Sequence, residues 1–168
     1  MRMSEWIEPA VAQAFAAEQT DAYRLCTAAD GWVERYGTDI LVSYKTDAAQ
    51  ARLTTEFHLW ALSADFKLSR IVARCLPKQN AKRSAPKLVA GEPGLSLQSI
   101  ATERSLRYGI DFESGYSIGL FIDQRENRSY VRALRPKTLL NCFAYTCSFS
   151  AAAATVGAQT VNVDLSKK

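Results

Sequence analysis

The stretch Thr138–Leu165 constrains this chain most. An apolar run, TLLNCFA, is followed by the turn YTC, a small-residue segment SFSAAAATV closed by Gly157, and a second apolar run, TVNVDL. Two strands joined through a helix cannot form a tight hairpin; they become parallel neighbours of one sheet. We predict a strand over Thr138–Ala144, apolar enough for the centre of a parallel sheet. A helix over Ser148–Val156 follows, with Gly157 at its C′ position, and then a strand over Thr160–Leu165. This order puts the unpaired N–H groups of the Ser148 helix and the carboxylate of Asp164 at one sheet edge. Ser166 then reads as the cap of a further helix.

Upstream, Asp123–Leu134 reads as a helix ending at Arg135-Pro136, because a residue before proline leaves the right-handed helical region. The preceding part has a different pattern. A helix is expected over Glu5–Ala17, and YRLCTAADGWVERYGTDILVSYK reads as short strands broken at Asp30-Gly31 and Gly37–Asp39. Ala48–Ser63 is a helix with Leu53, Phe57, Trp60 and Ala61 on one face, and Ser69–Leu76 is a half-buried alternating strand. PKQNAKRSAPK is expected to be a mobile loop, after which KLVAG, LSLQSIATE and SLRYGIDF return to strands around the turn Gly91–Gly94. The expected organisation is a helix over 1–19, a mixed, β-rich α+β module over 20–115, and the start of a parallel α/β sheet over 116–168.

Composition narrows the partners. Of 168 residues, 48% are hydrophobic and 23% charged, ordinary for a globular chain, and the net charge is +4. The excess is local: Lys67, Arg70, Arg74, Lys78, Lys82, Arg83 and Lys87 fall in a segment with no acidic residue. Such a patch suits a polyanion such as RNA, and equally reads as a solvated strand and loop. No apolar run is long enough to span a membrane. The N-terminal segment is interrupted by Glu5 and Glu8, unlike a signal peptide. Cys26, Cys75, Cys142 and Cys147 have no metal-ligand spacing and only His58 to assist them. They read as reduced thiols of a cytoplasmic protein, with Cys142 a small hydrophobe in its strand, and no metal is expected.

The turn after Ala144 carries the chemistry. The first amides of the Ser148 helix would receive a small carboxylate, while Asp164 would accept hydrogen bonds from ribose hydroxyls. The pattern lacks GxGxxG and a Walker lysine, which disfavours dinucleotides and nucleoside triphosphates. A nucleoside with a small charged head, such as S-adenosylmethionine, fits.

Three segments, GLFIDQRENR, LLNCFAYTCSFS and VDLSKK, together resemble the class I S-adenosylmethionine-dependent methyltransferases, in particular the bacterial large-subunit ribosomal-RNA cytosine carbon-5 enzymes. TDAYRLCTAADGWVERYGTDILV is similar to the β-rich N-terminal part of that family. The resemblance runs from about Thr20 onward. It implies an α+β module followed by an incomplete Rossmann-like sheet. It places Asp123, Gln124 and Arg125 at the lip of the cofactor pocket, with Arg125 facing the methionine carboxylate. It also places Asn141, Ala144, Tyr145 and Thr146 on the methionine side and Asp164 at the ribose. Asp123–Arg125 also reads as a solvated helix start, and Asp164 as a strand-end residue facing water. Cys147 stands where many of these enzymes have glycine. No residue here reads as the nucleophile, so the catalytic residues are expected beyond Lys168. The chain is then a fragment, or a truncated product whose open sheet edge is covered by oligomerisation. The implied activity is methylation of a ribosomal-RNA base. The alternative is an inactive module that binds RNA or protein, with a degenerate cofactor site.

Overall fold

The computed structural model describes residues 4–77, 83–94 and 96–165. By contacts the chain separates into two units, Met1–Ile118 and Gly119–Lys168.

The first unit is built on a sheet of order β1(Glu5–Trp6), β2(Ala22–Ala28), β3(Gly31–Tyr36), β4(Asp39–Tyr44), β5(Arg70–Cys75) and β6(Lys87–Ala90). The expected helix over Glu5–Ala17 is shorter than predicted. Glu5 and Trp6 pair with Thr27 and Cys26 of β2, and helix α1 starts only at Pro9 and runs to Ala17. Proline sets the boundary: Glu8 is extended (φ −70°, ψ 144°), and Pro9 suits the first helical turn, where its missing N–H costs nothing. Strands β2, β3 and β4 form a meander broken where Asp30-Gly31 and Gly37–Asp39 predict. At Gly31 a side chain would collide with the Ser43 carbonyl.

Helix α2(Asp47–Ser63) crosses over from β4 to the parallel strand β5, its N-terminus capped by Thr46, which accepts from the Ala49 N–H at 3.2 Å. Its Leu53 and Phe57 complete a core with Tyr23, Leu25, Val33, Ile40, Val42 and Ile71. Strand β5 is more buried than its alternation predicts, with Ile71, Val72 and Ala73 all enclosed. It lies inside the sheet, between β4 and β6, and a central strand covered on both faces loses its polar side. The hairpin β7(Gln98–Glu103)–β8(Leu106–Asp111) is tied to the start of β2. Asp21 donates its N–H to the Thr102 carbonyl (2.9 Å), and its carboxylate accepts from the Thr102 N–H (2.6 Å). Lys78 and Lys82, and most of the expected loop's first half, lie outside the described residues.

The second unit contains a 3-10 turn (Ile122–Gln124), α3(Arg125–Leu134), β9(Thr138–Cys142), α4(Ser148–Ala154) and β10(Gln159–Val163). Strands β9 and β10 are parallel, in a register that pairs Asn141 with Asn162. Helix α3 ends at Arg135, which turns left-handed (φ 47°) before Pro136. The predicted burial of the strands fails on one face. Leu140, Val161 and Val163 are 65%, 61% and 54% exposed, and Cys142 is exposed with them rather than packed as a core thiol. In the register these residues share a side, and α4 packs against the strands in this unit. All four cysteines are free thiols.

Candidate cofactor edge

Strand β9 ends at Cys142, and five residues then reverse direction into α4. Every second one is left-handed: Phe143 (φ 57°), Tyr145 (φ 48°) and Cys147 (φ 60°). For residues with a Cβ, and above all for aromatic ones, this backbone is strained by roughly 1–3 kcal/mol each. Strain of this size persists only where surrounding bonds hold it. Here the Ala144 N–H donates to the Val163 carbonyl (3.1 Å), and the Cys147 N–H to the Ala144 carbonyl (2.7 Å). The Tyr145 N–H donates to Oδ2 of Asp164 at 2.7 Å. Thr146 donates its hydroxyl to the Gly119 carbonyl at 2.5 Å. Ala144 is buried, while Tyr145, Phe143 and Asp164 are exposed. The small side chain of Ala144 thus lies under the turn, and the acid and aromatic rings lie at its surface.

Strand tip and turn therefore meet as the sequence order requires, and Gly119–Gln124 joins them. The Phe121 ring lies 5.4 Å from that of Tyr145. The residue that holds this segment was not singled out in the sequence. Arg128, in α3, is 1% exposed, donates from Nη2 to the Phe121 carbonyl at 2.9 Å and faces the Phe149 ring at 5.9 Å. Its only signal was its place in the DQRENR box, since an arginine on a polar helix ordinarily reads as solvated.

The remaining lip residues hydrogen-bond locally. Gln124 donates to Asp123 at 3.2 Å and accepts from Asn127 at 2.8 Å, while Arg125 pairs with Glu126 at 3.1 Å. The Asn141 amide donates to Ser150 Oγ (3.0 Å) and Asn162 Oδ1 (3.1 Å), and Ser150 donates to Asn162 at 2.5 Å. This triangle locks β9, α4 and β10 together beneath the turn, so Asn141 supports the edge from below.

The basic segment divides. Arg70 pairs with the buried Asp39 (2.9 Å) and donates to the Ser96 carbonyl (2.6 Å). Arg74 donates to Ser43 (3.0 Å) and the Tyr116 carbonyl (2.7 Å), and lies 3.6 Å from Glu34. Both are committed inside the first unit. Lys67, Arg83 and Lys87 are exposed. Among the described residues no group of three or more His, Cys, Asp or Glu is placed to hold a metal, and no helix is long and apolar enough to cross a membrane.

A parallel strand pair with an acid held at one strand tip, beside a strained strand-to-helix turn, is the carboxyl edge of an α/β sheet, where folds of this class place their ligands. Residues 46–168 match the family model described as S-adenosylmethionine-dependent methyltransferase, and the chain belongs to that family. Over 82 residues it is 40% identical to a ribosomal RNA large subunit methyltransferase I of Shewanella amazonensis, covering 47% of this chain and 20% of that protein. Its counterpart from Shewanella frigidimarina is 39% identical over 73 residues, 42% of this chain and 18% of that protein. The fold matches the crystal structure of a putative methyltransferase complexed with SAH, with a TM-score of 0.74 and 26% identity, over 94% of this chain and 42% of that one. The chain therefore spans less than half the length of these relatives.

Proposed function

We propose that this chain is the N-terminal part of an enzyme that transfers a methyl group from S-adenosylmethionine to a base of ribosomal RNA in the cytoplasm. The observation that carries the cofactor half is the 2.7 Å bond from the Tyr145 N–H to Asp164, which sets the acid beside the turn. In this reading Asp164 holds the ribose, and the Tyr145–Thr146 turn with buried Ala144 receives the methionine portion. Asp123–Arg125 form the lip, with Arg125 exchanging Glu126 for the methionine carboxylate. Asn141 acts through Ser150 and Asn162 as a positioning residue. When bound, the cofactor supplies an electrophilic methyl on a sulfonium.

The RNA half of the proposal rests on the ribosomal-RNA methyltransferase relatives and on the exposed cations Lys67, Arg83 and Lys87. Lys78 and Lys82 belong to the same proposed patch by sequence. Further chain of the parent protein, or a second copy, would cover the exposed strand face. Titration calorimetry with S-adenosylmethionine tests the cofactor half: binding to the unaltered chain, weakened about tenfold or more in Asp164→Ala, is expected. Equal affinity in both would refute the site.

A further inference from the structure

The sheet face opposite α2 carries an ordered row that the cofactor edge does not use. In the strand register Trp32 pairs with Ser43, and Ser43 with Arg74. Two residues along β3, Glu34 pairs with Arg24. Above this row, aromatic rings and guanidiniums alternate. Arg24 lies over the Trp32 ring at 4.8 Å, Arg74 over the Tyr116 ring at 4.7 Å, and Arg83 over the same ring at 5.3 Å. Both rings are partly exposed, the Arg24 side chain is 42% exposed, and Arg83 is exposed. Arg24 and Arg74 share the single carboxylate of Glu34, at 2.9 and 3.6 Å. The row therefore retains positive charge.

We infer that this row, with Trp32 and Tyr116 as platforms and Arg24 and Arg83 as their cations, is a stacking surface for single-stranded RNA. The inference rests on the RNA reading above and assigns it a place. A planar guanidinium held on an aromatic ring extends the ring as a flat surface for a base, and those of its N–H groups that Glu34 does not take can meet a phosphate. Solvated lysines scattered on a loop would supply charge but no such planes. Trp32 and Arg74, whose guanidinium faces Tyr116, stand two strand spacings apart in the sheet, about 10 Å. That is about three stacked-base rises of ~3.4 Å, within the span of a short strand. Arg74 is the positioning residue: half-buried and bonded to Ser43 and the Tyr116 carbonyl beside Glu34, it fixes the ring that Arg83 covers.

The test uses the whole chain and a fluorescent oligouridylate, read by anisotropy across a salt series. Tyr116→Leu should weaken binding about tenfold without changing the salt slope, because it removes a stacking plane and no charge. Tyr116→Phe should bind as the unaltered chain does. Arg83→Ala, at an exposed position, should lower the slope by about one. S-Adenosylmethionine affinity should be unchanged in all three, and the circular-dichroism melt unchanged in Tyr116→Phe and Arg83→Ala. RNA affinity of Tyr116→Leu and Arg83→Ala within about twofold of the unaltered chain would overturn the surface while leaving the cofactor site intact. An unaltered chain that binds the methyl donor but no RNA at low salt would remove the RNA reading and this surface together.

Discussion

Cys147 shows how one residue bears the strain of the turn between β9 and α4. Its φ of 60° is a glycine conformation occupied by a side chain, at the point where the turn hands over to α4. Cys147→Gly should therefore stabilise the chain by about 1 kcal/mol in urea unfolding, since it relieves left-handed strain at a half-exposed site. A loss of stability would mean that the thiol packs usefully. Phe143 and Tyr145 share that backbone and were illegible in the sequence, because aromatic residues almost never mark left-handed turns. A different residue-scale effect is expected at Cys26, a buried thiol whose pKa is raised to about 11, first by burial and then by Glu56. The folded state keeps this proton while the unfolded thiol loses its own near pH 9.0. Stability from this group is complete below that pH and falls as pH rises toward about 11. Thermal melts across that window should fall more steeply for the unaltered chain than for Cys26→Ala.

At the scale of elements, buried and half-buried arginines hold segments in place. Arg128 joins α3 to the Phe121 carbonyl, so Arg128→Ala should cost about 2 kcal/mol and speed hydrogen exchange over Gly119–Gln124. Unchanged exchange there would contradict the role. Arg70→Ala strands Asp39, which is 1% exposed, and should lower stability by about 3 kcal/mol while leaving the salt slope of RNA binding unchanged. A lost unit of slope would instead make Arg70 a phosphate contact. These same elements mark what was readable in advance. The β2–β4 meander, α2, the parallel β9–β10 pair and the end of α3 before Pro136 followed from local turn chemistry and apolar spacing, whereas the left-handed form of Arg135 did not. The two-residue strand Glu5–Trp6 did not, because its pairing with β2 is long-range and too short to show a period. Nor did the full burial of Ile71–Ala73, which depends on what covers the second face. Arg70 and Arg74 read as surface charge because sequence reports the charge of a side chain and not its partner.

For the whole molecule, the two units divide the proposed work. The first offers exposed cations and an aromatic–guanidinium row; the second brings a carboxylate to a strained turn. Leu140, Val161 and Val163 form an apolar stripe on the parallel pair, and burying it against further chain would strengthen the turn's scaffold through the same hydrophobic term that holds the first unit's core. If the turn and the strand tip hold one ligand, both respond when it binds. Amide chemical shifts of the isotopically labelled chain, followed during titration with S-adenosylmethionine, report this residue by residue. Shifts concentrated at Ala144–Cys147 and Asp164, and absent in Asp164→Ala, are the expected result. Shifts confined to other residues, or a response that survives Asp164→Ala unchanged, would contradict it.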